Sequence, residues 1–108
     1  MEQDMVNELV NGILRSLHVQ PLRIVLYGST ARGTNTAESD IDIAVFVRSR
    51  LQSDEDDRLS DAIVDMNLKY GKVFSVIDID ESTYQKWRAV LPFYQNVDRE
   101  GVVLWTAA

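Results

Sequence analysis

The chain switches between two hydrophobic rhythms. Over residues 4–17, Val6, Val10, Ile13 and Leu17 recur at helical spacing, which predicts an amphipathic helix that ends before Pro21. Leu22 to Tyr27 is a continuous apolar run with Arg23 as its one polar member, the mark of a short buried strand, and Gly28 ends it. Residues 28–39 are small and polar and predict a loop with room for one helical turn. Ile41 to Val47 then alternates with period two. Asp40, Asp42, Ala44 and Phe46 fall on one face of this second strand, and Ile41, Ile43, Val45 and Val47 on the other.

The second half repeats the alternation of helix and strand. Ser53 with Asp56 resembles a helix-start box, with Asp in place of the usual Glu. The acidic run Asp54 to Asp57 suits the positive end of a helix and reads as a solvated helix start. Leu59, Ile63, Met66 and Tyr70 supply the apolar stripe, and Gly71 the stop. Val73 to Ile79 predicts a third strand. Ser82 and Gln85 open a third long helix with Tyr84, Trp87, Leu91 and Tyr94 along one side, a stripe read as core or interface packing; Pro92 falls inside its pattern. Gly101 precedes Val102 to Trp105, a short final strand. The order helix, strand, strand, helix, strand, helix, strand implies an α/β or α+β fold with its helices largely on one face of the sheet. Strand order does not follow from the pattern.

Composition narrows the setting. A length of 108 residues, 45% of them hydrophobic, fits a single domain over 1–108 with one core. No apolar run reaches the roughly 18 residues that span a bilayer. The acidic N-terminus lacks the basic start and apolar stretch of a secretory signal, and no cysteine is present, so a cytoplasmic protein without membrane association is expected. The net charge of −6 argues against a broad nucleic-acid surface, which depends on Lys and Arg to neutralise phosphates. A small anionic ligand stays compatible with that charge if cations supply the local positive field. His18, the single histidine, is read as a helix cap or surface residue.

The candidate chemistry lies where the first strand ends and the second begins. Gly28 lets the backbone approach a phosphate without a Cβ in the way. Ser29 offers a hydroxyl, and the N–H groups of the following turn can face phosphate oxygens. Arg32, one helical turn further on, can reach the same anion with a forked donor. After ten residues that follow Ser29, Asp40 and Asp42 project from one strand face. Two carboxylates so placed suit a pair of divalent ions such as Mg²⁺, which in two-metal sites stand about 3.5–4 Å apart. Asp42 within an otherwise apolar strand would be costly to bury without a cation. Together these features describe a site for a metal-bound nucleoside triphosphate.

The pattern Gly28-Ser29, ten residues, Asp40-Ile41-Asp42 resembles the signature of the DNA polymerase beta-like nucleotidyltransferase superfamily. Gly28-Ser29-Thr30-Ala31-Arg32-Gly33 with Ser39-Asp40-Ile41-Asp42-Ile43, and the tail Asn96 to Leu104, are especially similar to the minimal nucleotidyltransferases, called MNT. The resemblance covers nearly the whole chain. It implies a mixed sheet flanked by helices, Gly28 and Ser29 on the triphosphate, and Asp40 and Asp42 as catalytic metal ligands for Mg²⁺, with ATP or another nucleoside triphosphate as substrate. It also implies a third carboxylate on the third strand. Here the best alignment puts Ser75 at that position, while the nearest acid, Asp78, alternates to the opposite face.

Three functions are compatible with this pattern. The resemblance implies transfer of a nucleoside monophosphate, with AMP from ATP the favoured donor chemistry, to a protein acceptor. In the MNT group that partner is often a HEPN-type toxin, to which the MNT protein is the antitoxin. The second is a binding module that neutralises such a partner by covering it, which the Ser75 departure favours. The third, modification of a small molecule, is weaker because such enzymes usually carry a further domain. An oligomer is compatible with all three, and exposed Trp87, Tyr94 or Trp105 would supply interface anchors.

Overall fold

A computed structural model describes all 108 residues. The elements in chain order are α1 (Gln3–Ser16), β1 (Arg23–Tyr27), α2 (Gly28–Arg32), β2 (Ile41–Val47), α3 (Ser53–Tyr70), β3 (Phe74–Asp80), α4 (Glu81–Trp87), α5 (Pro92–Glu100) and β4 (Val102–Thr106). The four strands form one mixed sheet in the order β3-β2-β1-β4. β1 runs antiparallel to both β2 and β4, while β2 and β3 are parallel and joined through α3. A parallel pair needs such a crossover, because a tight turn can only reverse the chain.

β2 is interior and covered on both faces, so six of its seven residues are buried; Asp42 is the exception. One side of the sheet presents Ile24, Leu26, Ile41, Ile43, Val45 and Phe74 to the apolar stripes of α1 and α3. The other presents Val25, Ala44, Phe46 and Ile79 to Tyr84 of α4 and Val97 of α5. Helices therefore cover both faces, contrary to the expectation of one. The apolar residues of α4 and α5 are few, and the strand residues they cover are spread over β1, β2 and β3, so the pairing emerges only once the strand order is known.

The other departures are local. The expected third long helix is two: α4 ends at Trp87 and α5 begins with Pro92 at its first turn, where the missing N–H costs nothing. The start of α3 also lies one residue earlier in register than Ser53 and Asp56 suggest. The carboxylate that closes it belongs to Glu55, whose Oε1 accepts the Gln52 N–H at 2.9 Å. Glu has the extra methylene needed to fold back over the first turn. Gly71, with φ +62°, ends α3 as expected.

Glu55 also ties α3 to the end of α1. It is 6% exposed, and its Oε2 accepts the His18 N–H at 2.8 Å. His18 Nε2 meets Asp54 at 2.7 Å, so the histidine is an inter-helix cap and the acidic run is only partly solvated. The two backbone donors, from Gln52 and then His18, hold the Glu55 carboxyl below its usual range near 4.5. A depressed folded pKa stabilises the fold above the unfolded value and ceases to do so as pH falls through the folded one. We expect Glu55→Ala to orphan both N–H groups and cost roughly 2 kcal/mol. Thermal unfolding at pH 7 should show a drop of about 10 °C. The gap between the two proteins should close as pH falls below 4.5; a gap independent of pH would contradict the clamp.

Candidate functional site

The site forms where β1 ends and β2 begins. Pairing places Tyr27, the last residue of β1, opposite Asp42, and on the other flank places Ser75 of β3 beside Asp42. Cross-strand neighbours share a face, so Tyr27, Asp42 and Ser75 stand in a row across three strands on the side of α4 and α5. Asp40 is exposed in the segment leading into β2.

Gly28 opens α2 with φ +74°, a conformation that side-chain-bearing residues rarely adopt. A Cβ there would collide with the Asp42 Oδ2 and stand 3.3 Å from its Cγ. The glycine is thus required twice, for the turn and for the carboxylate that presses against it. Ser29 follows, partly exposed, and its hydroxyl makes no hydrogen bond within the chain. The first N–H groups of a helix likewise have no partner inside it.

Arg32 does face this region, and its positive charge partly offsets the effects that raise the Asp42 pKa. One of its guanidinium nitrogens is already engaged, at 2.7 Å from Glu100 Oε2 at the end of α5. Glu100 is only 14% exposed at its side chain, so this pair is better shielded than an ordinary surface bridge. Sequence reasoning missed Glu100. Its position beside Gly101 was visible, but its partner is 68 residues away.

The electrostatics are those of an acid held in an unfavourable place. Burial raises the Asp42 pKa above its usual 3.8, and the charge of Asp40 raises it further. Burial, then the Asp42 charge, raises the Tyr27 hydroxyl as well. A carboxylate destabilised by burial and by a second carboxylate nearby belongs to a donor set suited to a hard divalent cation. Nowhere do three or more His, Asp or Glu side chains gather into a metal-binding cluster. Asp78 belongs to the opposite face, beside Leu59, Ile63 and Val76.

The carboxylates sit on open surface. The largest cavity, about 460 Å³, lies on the other side of the sheet, lined in part by Met5, Thr30, Ile41, Tyr70 and Lys72. Thr30 contributes a buried hydroxyl without a partner there. Because Ile41 points away from Asp40 and Asp42, this cavity is separate from the carboxylate pair.

Comparison with known proteins bears on the family and the fold. The family model described as "Nucleotidyltransferase domain" matches residues 8–95. A Methanocaldococcus jannaschii protein named "Putative protein adenylyltransferase MJ0604" is 35% identical over 105 residues, covering 96% of this chain and 98% of that protein. Among solved structures, a toxin–antitoxin crystal structure with AMP-PNP aligns with a TM-score of 0.66 at 24% identity, over 94% of this chain and 73% of that one. A complex of tri-AMPylated Shewanella oneidensis HEPN toxin with MNT antitoxin aligns with a TM-score of 0.61 at 21% identity, over 99% and 74%. At such identities the structural likeness establishes the fold. The chain belongs to the nucleotidyltransferase domain family.

A raised folded pKa has a testable sign. Protonated Asp42 suits the folded state, so its contribution is complete below the unfolded pKa and is lost as pH rises through the folded one. At pH 7, without cations, Asp42 opposes folding. Asp42→Asn, which mimics the neutral acid, should therefore raise the melting temperature of the ligand-free protein at pH 7. That advantage should disappear below about pH 3.8. A lower melting temperature for the variant at pH 7 would show the carboxylate to be a structural group instead.

Proposed function

We propose that this protein transfers AMP from Mg·ATP to a hydroxyl of a protein partner, and that the partner is a HEPN-type toxin for which it is the antitoxin. The observation that carries the reading is the Asp42 carboxylate, destabilised by burial and by Asp40, pressed against a glycine-led turn whose serine hydroxyl is free. Similarity to the archaeal protein named as an adenylyltransferase, and the fold shared with MNT antitoxin complexes, support the substrate and the partner.

In this reading Asp40 and Asp42 hold Mg²⁺, which when bound supplies positive charge to the triphosphate and acidifies a nearby hydroxyl. Gly28 admits the phosphates to the backbone, and Ser29 donates its hydroxyl to them. Arg32 adds charge, with Glu100 fixing its direction. The acceptor oxygen bonds to the α-phosphorus as the bond to the pyrophosphate oxygen breaks, and the acceptor proton is released. Most of the rate then comes from position and charge.

Ser75 favours a second reading. It is the β3 neighbour of Asp42, where a third carboxylate would assist the acceptor proton, and a serine is a poor substitute. A domain that binds nucleotide and covers its partner with little turnover is compatible with that residue. The acidic net charge of −6 suits a basic partner in either case.

The test is intact-mass analysis of a HEPN-type partner, taken from the adjoining gene, after incubation with this protein and Mg·ATP. Mass added in steps of one AMP supports transfer, and Ser75→Asp should then raise its rate about tenfold or more. A stable complex without added mass supports neutralisation by binding. Neither complex nor added mass would overturn both readings.

A further inference from the structure

The row of side chains across the sheet continues beyond Tyr27 to a residue that sequence reasoning did not single out. Phe93, in the first turn of α5, sets its ring against that of Tyr27 in a T-shaped contact, with centroids 5.7 Å apart and planes at 85°. A second T-shaped contact, also at 5.7 Å, joins it to Tyr94. Tyr94 in turn packs on buried Tyr84. Phe93 is nevertheless 42% exposed. Aromatic rings held by such contacts are normally covered on further sides by core atoms. This one is braced from behind and open to solvent at the rim of the carboxylate site.

Its backbone is equally constrained. Pro92 fixes the entry to α5. At the far end Gly101 crosses β1 so closely that a Cβ there would stand 2.7 Å from Val25 Cγ1. The Arg32–Glu100 pair adds a second tie between α5 and the turn that follows β1. Phe93 is thus a rigid surface aromatic, which loses little entropy on binding a ligand.

Its side of the site decides what it meets. The phosphate-facing turn follows β1, and the position for assisting the acceptor is Ser75 on β3, with Asp42 between. Attacking and leaving oxygens lie roughly in line in phosphoryl transfer. An acceptor that arrives from β3 therefore sets the pyrophosphate toward the turn after β1, and the ribose, off that axis at the α-phosphorus, turns to the helix-covered face where Phe93 stands. We infer that Phe93 is the stacking platform for the nucleobase, a residue that fixes the nucleoside end of the substrate. This rests on the nucleotide reading proposed above. A bare phenyl ring offers stacking without hydrogen bonds, and every base has a π-face. The platform holds purines without choosing strongly between them.

Calorimetric titration of wild type, Phe93→Ala and Phe93→Trp with ATP, GTP and inorganic tripolyphosphate, each with Mg²⁺, tests this. Phe93→Ala should bind ATP and GTP about tenfold more weakly, by similar factors, and tripolyphosphate as well as wild type does. Phe93→Trp should restore nucleotide affinity. Unchanged ATP affinity in Phe93→Ala overturns the inference, whether or not binding to the protein partner falls, since a fall there alone makes Phe93 an interface residue. An equal loss for tripolyphosphate overturns it in favour of a structural role. A wild-type protein that binds neither ATP nor tripolyphosphate removes the nucleotide reading, and the platform with it.

Discussion

A carboxylate set into an interior, otherwise buried strand is the constraint on which this structure turns. Asp42 follows Ile41 and precedes five buried residues, and its own position raises its pKa. Burying or crowding an acid disfavours its charged form unless a cation or a donor compensates. The surroundings are arranged around that one group. Gly28 gives up its side chain to make room for it, and Asp40 adds a second negative charge beside it. Tyr27 and Ser75 flank it across the sheet. A protein selected for stability alone would have placed an apolar residue there.

The fold serves this end of the sheet by locking everything behind it. The long helices α1 and α3 seal one face, and Glu55 of α3 ties them by accepting the N–H of His18 just past α1. The short helices α4 and α5 seal the other over Val25, Ala44, Phe46 and Ile79, with Tyr27 at the margin. They stop short of Asp42, and this leaves the carboxylates at an open rim and not in a cavity. At that rim Phe93 is 42% exposed, and elsewhere on the same helical layer Trp87 is 41% exposed. Tyr94 is half-buried against Tyr84, and Trp105 packs against the α1 and α3 core, so Trp87 is the expected anchor that remains exposed.

Much of this was legible in residue order. Period two from Ile41 to Val47 placed Asp42 on one face with Ala44 and Phe46, and that pattern is strict enough to set Ser75 and Asp78 apart on β3 as well. The helix stop at Gly71 and the strand limits needed only local rules. What escaped was whatever depends on elements distant in sequence. Glu100 meets Arg32 across 68 residues, and Phe93 meets Tyr27 only because α5 lies on β1. The two-sided cover of the sheet depended on strand order, which no local signal encodes. The Glu55 clamp was hidden in a run of four consecutive acids, of which the one glutamate has the reach to make it.

In the function proposed above, Asp42 holds a cation for a nucleotide at a cost to the fold. Calorimetric titration of Mg·ATP into wild type and Asp42→Asn tests it most directly. Wild type should bind saturably, and the variant about tenfold or more weakly, the scale on which carboxylates at a metal site tune affinity. Equal affinities in the two proteins would contradict it.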